Sequence, residues 1–137
     1  ARKNAALNGY QDVCSFRAGN AFDELRALDR SRQVFDLVIL DPPAFAKNRR
    51  ALESALRGYK EINLRAIRLL REGGFLVTSS CSHPVSESLF LDVVCEAATD
   101  AGRTLRLVEF GRQARDHPIL VGYDESRYLK CLIFQVL

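Results

Sequence analysis

The chain has 137 residues, 47% hydrophobic and 27% charged, with a formal net charge of +3, which suits one globular domain built around one core. No apolar run approaches the roughly 20 residues of a membrane-spanning helix, and no charged-then-apolar leader opens the chain, so the expected setting is cytoplasmic with no membrane partner. The positive charge is uneven: Lys47, Arg49, Arg50, Arg57 and Lys60 crowd one stretch, which suits either a phosphate-bearing partner or a solvated helix face.

Ala1 to Leu7 reads as the end of a helix, stopped by Asn8 and Gly9. The chain contains no methionine, and the expectation is a piece of a longer protein. "DVCSFRAGNAF" reads as a short strand near Val13 to Arg17, a loop at Gly19 and Asn20, and a helix from Ala21 to about Leu28 with Phe22, Leu25 and Leu28 at helical spacing. Phe35 to Leu40 is a β-branched and aromatic run, the pattern of a strand buried on both faces. It must stop at Asp41, because Pro42 and Pro43 lack the N–H that a ladder needs.

A long amphipathic helix is predicted from about Ala51 to Arg71, ended by Gly73 and Gly74. Phe75 to Ser79 is the next strand, and it leads into a small-polar turn centred on Cys81. A helix from about Ser86 to Ala101 closes at Gly102. Two strand-like stretches, "TLRLVEF" and "YLKCLIFQVL", follow with no helix between them, so they are expected to pair antiparallel at a sheet edge. The alternation of strands and helices argues for a mostly parallel α/β sheet covered by helices.

The four cysteines form no Cys-x-x-Cys pair and have no histidine at ligand spacing, so no structural zinc site is predicted. Cys14, Cys95 and Cys131 lie in apolar surroundings that suit small buried side chains; Cys81 does not. In a parallel sheet with a right-handed crossover, Asp41 and Cys81 emerge from successive strands at one edge, where open α/β sheets bind ligands. Taken alone, each has a plain alternative: Asp41 bracing a turn, Cys81 filling one. His83 reads as a rim residue rather than a base, and Lys60 and Asn63 face either that edge or solvent.

"GNAF", "FDLVILDPPAF", "RGYKEIN", "EGGFLVTSSCS", "DHP" and "YLK" stand in this order along the chain. Together they resemble the bacterial large-subunit ribosomal RNA cytosine-5 methyltransferases, across essentially all of the sequence. The resemblance implies a Rossmann-like class I methyltransferase sheet, mostly parallel with an antiparallel C-terminal edge, in which residues 1–137 form the C-terminal portion of the catalytic domain. The first two strands, the glycine-rich cofactor loop and an amino-terminal RNA-binding domain would lie outside it.

The same resemblance implies S-adenosyl-L-methionine as cofactor, large-subunit ribosomal RNA as partner, and a role in rRNA processing. A homodimer is a candidate assembly. Cys81 matches the family's nucleophile, which adds to carbon 6 of cytosine, and Asp41 matches the carboxylate that holds the base at ring nitrogen 3. Asn20, Ala21, Phe22, Asp41 and Pro42 are the implied cofactor contacts; Asn20 stands where the family usually has aspartate. Pro43, Phe45, Lys60 and Ser82 are the implied substrate contacts. Two other readings stay open: an amino-group methyltransferase of adenine or guanine using the Asp-Pro-Pro motif, and a non-catalytic RNA-binding fragment. In the first, Ala44 stands where an aromatic residue normally follows the second proline, and Cys81 would have no task.

Overall fold

The computed structural model describes residues 1–137. In chain order it contains α1 (Arg2–Leu7), α2 (Ala21–Arg30), β1 (Phe35–Leu40), α3 (Leu52–Arg68), β2 (Leu70–Ser80), α4 (Glu87–Ala101), β3 (Leu105–Gly111) and β4 (Lys130–Val136). The strands form one sheet in the order β1-β2-β4-β3. β1 and β2 are parallel, joined by α3 as a βαβ crossover. β4 inserts between β2 and β3 and runs antiparallel to both, which gives the antiparallel C-terminal edge.

The helices end where the chain chemistry directs. Asn8 is the C-cap of α1, and Gly9 follows at φ +74°. Ser86 caps α4 by accepting from the Leu89 N–H, and Gly102 closes it at φ +64° in the left-handed region that glycine adopts without penalty. α3 ends earlier than its apolar pattern suggests, at Arg68, because β2 already begins at Leu70. Gly73 and Gly74 therefore lie inside a strand instead of stopping a helix. The β1–β2 register jumps from Phe35↔Leu70 to Leu37↔Phe75, and Gly73 takes φ +76° in that irregularity. A Cβ on Gly74 would stand 2.9 Å from the Arg71 carbonyl oxygen and 3.1 Å from that of Asp36.

The core lies between α3, α4 and the sheet: Tyr59, Ile67, Leu69, Leu76, Phe90, Val94, Leu132 and Val136 are fully buried. α2 is held to α3 by ion pairs, Arg65 with Asp29 at 2.6 Å and Arg26 with Glu61 at 3.0 Å. Burial pushes the Glu61 carboxyl up, and the hydrogen bonds from Arg26 and Arg65 outweigh it and hold the group below its ordinary range.

Two strand expectations need correction. Val13 to Arg17 forms no strand; the Cys14 N–H instead donates to the Tyr10 carbonyl, and Val13 is exposed. A strand exists only where a ladder partner takes its backbone groups, and here local turn bonds take them. β1 is not buried on both faces either. It is an edge strand in which Leu40 is buried while Leu37 and Ile39 are exposed, because α3 covers only one side of it. Cys14 and Cys95 are exposed and Cys131 is half-buried; Cys95 sits at the open rim of an apolar groove with Leu91, Ala98 and Leu107, so its apolar neighbours do not enclose it.

Candidate active site at the carboxyl edge of the parallel strands

In the parallel ladder Leu40 pairs with Thr78. One residue beyond Leu40 stands Asp41, and three beyond Thr78 stands Cys81, so both leave neighbouring strands at the same edge. Asn20, the N-cap of α2, approaches this edge from the other side and accepts a 2.9 Å hydrogen bond from the Phe22 N–H. Its oxygen retains one lone pair, and its amide nitrogen two donors, for a ligand.

Between α2 and the Asp-Pro-Pro turn lies a cavity of about 440 Å³, within the roughly 300–1,000 Å³ usual for small-molecule sites. Asn20, Ala21, Phe22, Asp41 and Pro42, the five implied cofactor contacts, all line it. Pro43 and Phe45, implied for the substrate, line it too, and Leu25, Ile39 and Ile62 add apolar wall that sequence reasoning did not assign to a site. Phe45 is less free than an exposed stacking platform. Its ring lies 4.6 Å from that of Tyr59 and 5.8 Å from that of Phe22, centroid to centroid, and Gly58 leaves room for it, since a Cβ there would stand 3.2 Å from Phe45.

Cys81 is half-buried and sits between two serines that are fully buried. The Ser80 hydroxyl donates to the Tyr59 hydroxyl at 2.9 Å, and the Tyr59 and Ser82 hydroxyls bond at 2.9 Å. Ser82 Oγ also accepts from the Ala46 N–H at 3.0 Å. One hydroxyl network thus joins the Asp-Pro-Pro loop, α3 and the Cys81 turn. Its groups are buried and bonded, the condition under which such networks add rigidity.

Two implied substrate contacts fall elsewhere. Ser82 has no free hydroxyl to offer a substrate, being enclosed and bonded to Tyr59 and Ala46; it is a brace. Lys60 reaches along α3 to Asp100 at 3.0 Å and Glu96 at 3.2 Å on α4, and those hydrogen bonds raise its pKa. The C-terminal half of α4, not the carboxyl edge of β1 and β2, holds its charge. Asn63 faces neither that edge nor solvent: it is fully buried and donates to the Tyr59 carbonyl at 2.8 Å.

Lys130 is the residue that sequence reasoning missed. It is 3% exposed, and its ammonium donates to the carbonyl of Ser82 at 2.8 Å and to that of Tyr128 at 2.9 Å. Burial pushes its pKa down, while the Cys81 and Glu87 groups act in the opposite sense. The signal was in the alternation of "KCLIFQV": Lys130 shares strand parity with Leu132, Phe134 and Val136, all of them buried.

No family model matches the chain. It is 42% identical over 137 residues to the ribosomal RNA large subunit methyltransferase I of Alteromonas mediterranea, covering 99% of this chain and 34% of that protein. It is 43% identical over 131 residues to the protein of the same name from Cronobacter sakazakii, covering 95% and 33%. The chain thus spans about a third of the length of these curated relatives. Among solved structures it superposes on a methyltransferase complexed with SAH at TM-score 0.72 and 22% identity, covering 87% of this chain and 30% of that one. A methyltransferase homologue from Pyrococcus horikoshii gives 0.63 and 18%, covering 99% and 48%.

The fold is that of the Rossmann-like methyltransferases. In a Rossmann-like sheet the carboxyl ends of the parallel strands are the ligand edge, and that edge is where Asn20, Asp41 and Cys81 stand. No helix of the chain is long and apolar enough to cross a membrane.

Proposed function

We propose that this chain is the C-terminal portion of the catalytic domain of an S-adenosylmethionine-dependent methyltransferase that forms 5-methylcytosine in large-subunit ribosomal RNA. The observation that carries the reading is the meeting of Asp41 and Cys81 at one sheet edge, beside a cavity lined by Asn20 and Phe22. The similarity to ribosomal RNA large subunit methyltransferases supports the substrate class.

The cavity suits the cofactor in kind. It offers an aromatic ring at Phe22, a rigid wall at Pro42 and polar groups at Asn20 and Asp41, the mixture that holds a heteroaromatic ring by its face and edge. S-adenosylmethionine would supply an electrophilic methyl group there, its sulfonium–methyl bond breaking to leave S-adenosylhomocysteine. Carbon 5 of cytosine is a poor nucleophile, and Cys81 corrects that: its thiolate sulfur bonds carbon 6, and the displaced π electrons make carbon 5 electron-rich. Asp41, held at ring nitrogen 3, steadies the charge that moves into the ring. After carbon 5 has accepted the methyl, its proton leaves to a base, the electrons re-form the double bond, and the sulfur–carbon 6 bond breaks to return the Cys81 thiolate. The base must reach the site unstacked, as in a single-stranded or looped RNA segment.

The amino-group reading loses ground in the structure, because Phe45 is packed against Tyr59 and Phe22. The test uses the full-length protein and an RNA carrying 5-fluorocytosine, from which carbon 5 cannot lose a proton and the adduct cannot resolve. A covalent protein–RNA band is expected with cofactor present. Cys81→Ser abolishes the band, and a band that persists in that variant rules out the nucleophile.

A further inference from the structure

A second, smaller cleft opens on the other side of the Cys81 turn, about 260 Å³ in volume, between that turn, the start of α4 and the segment 124–130. Its chemistry differs from that of the first. Val85 is its one apolar residue, and no phenylalanine, tyrosine or tryptophan lines it. Arg112, Arg127 and Lys130 line it against two carboxylates, Glu87 and Asp124. Glu87 is already taken by Arg112, at 2.9 Å.

We propose that this cleft seats a phosphodiester of the RNA strand adjoining the nucleotide presented to Cys81, with Arg127 and Lys130 as the charges that hold it. The inference rests on the RNA reading above and adds a subsite to it. Lys130 is the independent observation. It is a nearly fully buried cation with no carboxylate within 4 Å, and two backbone carbonyls occupy two of its three N–H donors. No carboxylate pairs directly with this buried charge, on which Glu87 and Cys81 act only from beyond contact distance, and Lys130 lines an otherwise polar cleft. Arg127 also has no carboxylate within 4 Å and is exposed at the mouth. The N-terminus of the fifteen-residue α4, capped by Ser86, adds its dipole with the sign that favours an anion.

The geometry links seat and nucleophile. Lys130 grips the carbonyl of Ser82, the residue after Cys81, so a phosphate drawn to Lys130 brings the neighbouring nucleotide to the sulfur. The chemistry needed is a diester anion on a flexible strand, which single-stranded RNA supplies.

The deciding measurement is the salt dependence of binding of a single-stranded RNA by the full-length protein, without cofactor, for wild type and Arg127→Ala. Arg127 is exposed, so its removal spares the core, whereas Lys130→Met carries a risk to folding. Loss of one phosphate contact lowers the slope of log affinity against log salt by about 0.7 on a single strand. That decrease is expected, together with weaker binding and recovery of the slope in Arg127→Lys. An unchanged slope, with or without weaker binding, overturns the proposal. Cys81→Ser measured in parallel keeps the slope and loses the 5-fluorocytosine adduct; an adduct that survives there refutes the nucleophile while leaving the slope result to stand by itself.

Discussion

Tyr59 is fully buried, and its hydroxyl is shared between Ser80 and Ser82 on either side of Cys81. Tyr59→Phe keeps the ring packing against Phe45 and Phe90 but leaves the Ser80 hydroxyl without its acceptor. A buried polar group stranded in this way costs roughly 1–3 kcal/mol, and urea unfolding is expected to show a loss of that size with an unchanged m-value. The same variant frees the Cys81 turn from α3, so adduct formation with 5-fluorocytosine RNA is expected to slow. Ser82 illustrates why the site was only partly readable from sequence. A serine in a small-polar turn after a strand reads as exposed, yet its partners, Ala46 and Tyr59, are 36 and 23 residues away, and no local pattern announces them. The placement of Asp41 and Cys81 at one edge was legible because Asp41 directly follows an apolar strand, Cys81 centres the small-polar turn after the next one, and the βαβ handedness rule brings the two strand ends together.

Helices and the antiparallel edge were legible from their caps and periods; the glycine pair after α3 was not. Glycine after an amphipathic run ordinarily marks a helix C-terminus, but α3 stops one turn sooner and Gly73 and Gly74 serve the irregular start of β2. Gly74→Ala is expected to destabilise the fold by about 1–3 kcal/mol, the usual cost of forcing a methyl into filled space, since the obstructing atoms are backbone oxygens of Arg71 and Asp36 that cannot rotate away. Differential scanning calorimetry of that variant measures the loss directly. β1 shows the converse limit. Its apolar run correctly announced a strand, but no sequence pattern says whether the second face of a strand is covered, and here Leu37 and Ile39 stand exposed at the sheet edge.

At the scale of the whole molecule, α3 and α4 pack on one side of a four-stranded sheet whose β1 edge is unpaired. The cavity lined by Asn20 and Asp41 lies at that edge and is built by α2, β1 and the Asp-Pro-Pro turn, so it has walls on the α3 side and an open flank beyond β1. If these residues are the C-terminal portion of the catalytic domain, the full-length protein is expected to bind S-adenosylhomocysteine more than about tenfold tighter than the 137-residue chain, a difference of at least ~1.4 kcal/mol. Titration calorimetry on both decides it, and equal affinities would place the whole cofactor site within this chain. The clamp on Cys81 has a consequence in time as well as in space. Lys130 lies 48 residues after the Ser82 carbonyl that it grips, in the strand that must insert between β2 and β3. Closing so long a loop is slow relative to local helix formation. During synthesis the Cys81 turn therefore leaves the ribosome well before the lysine that secures it, and the Cys81 side chain spends that interval on an unfinished sheet.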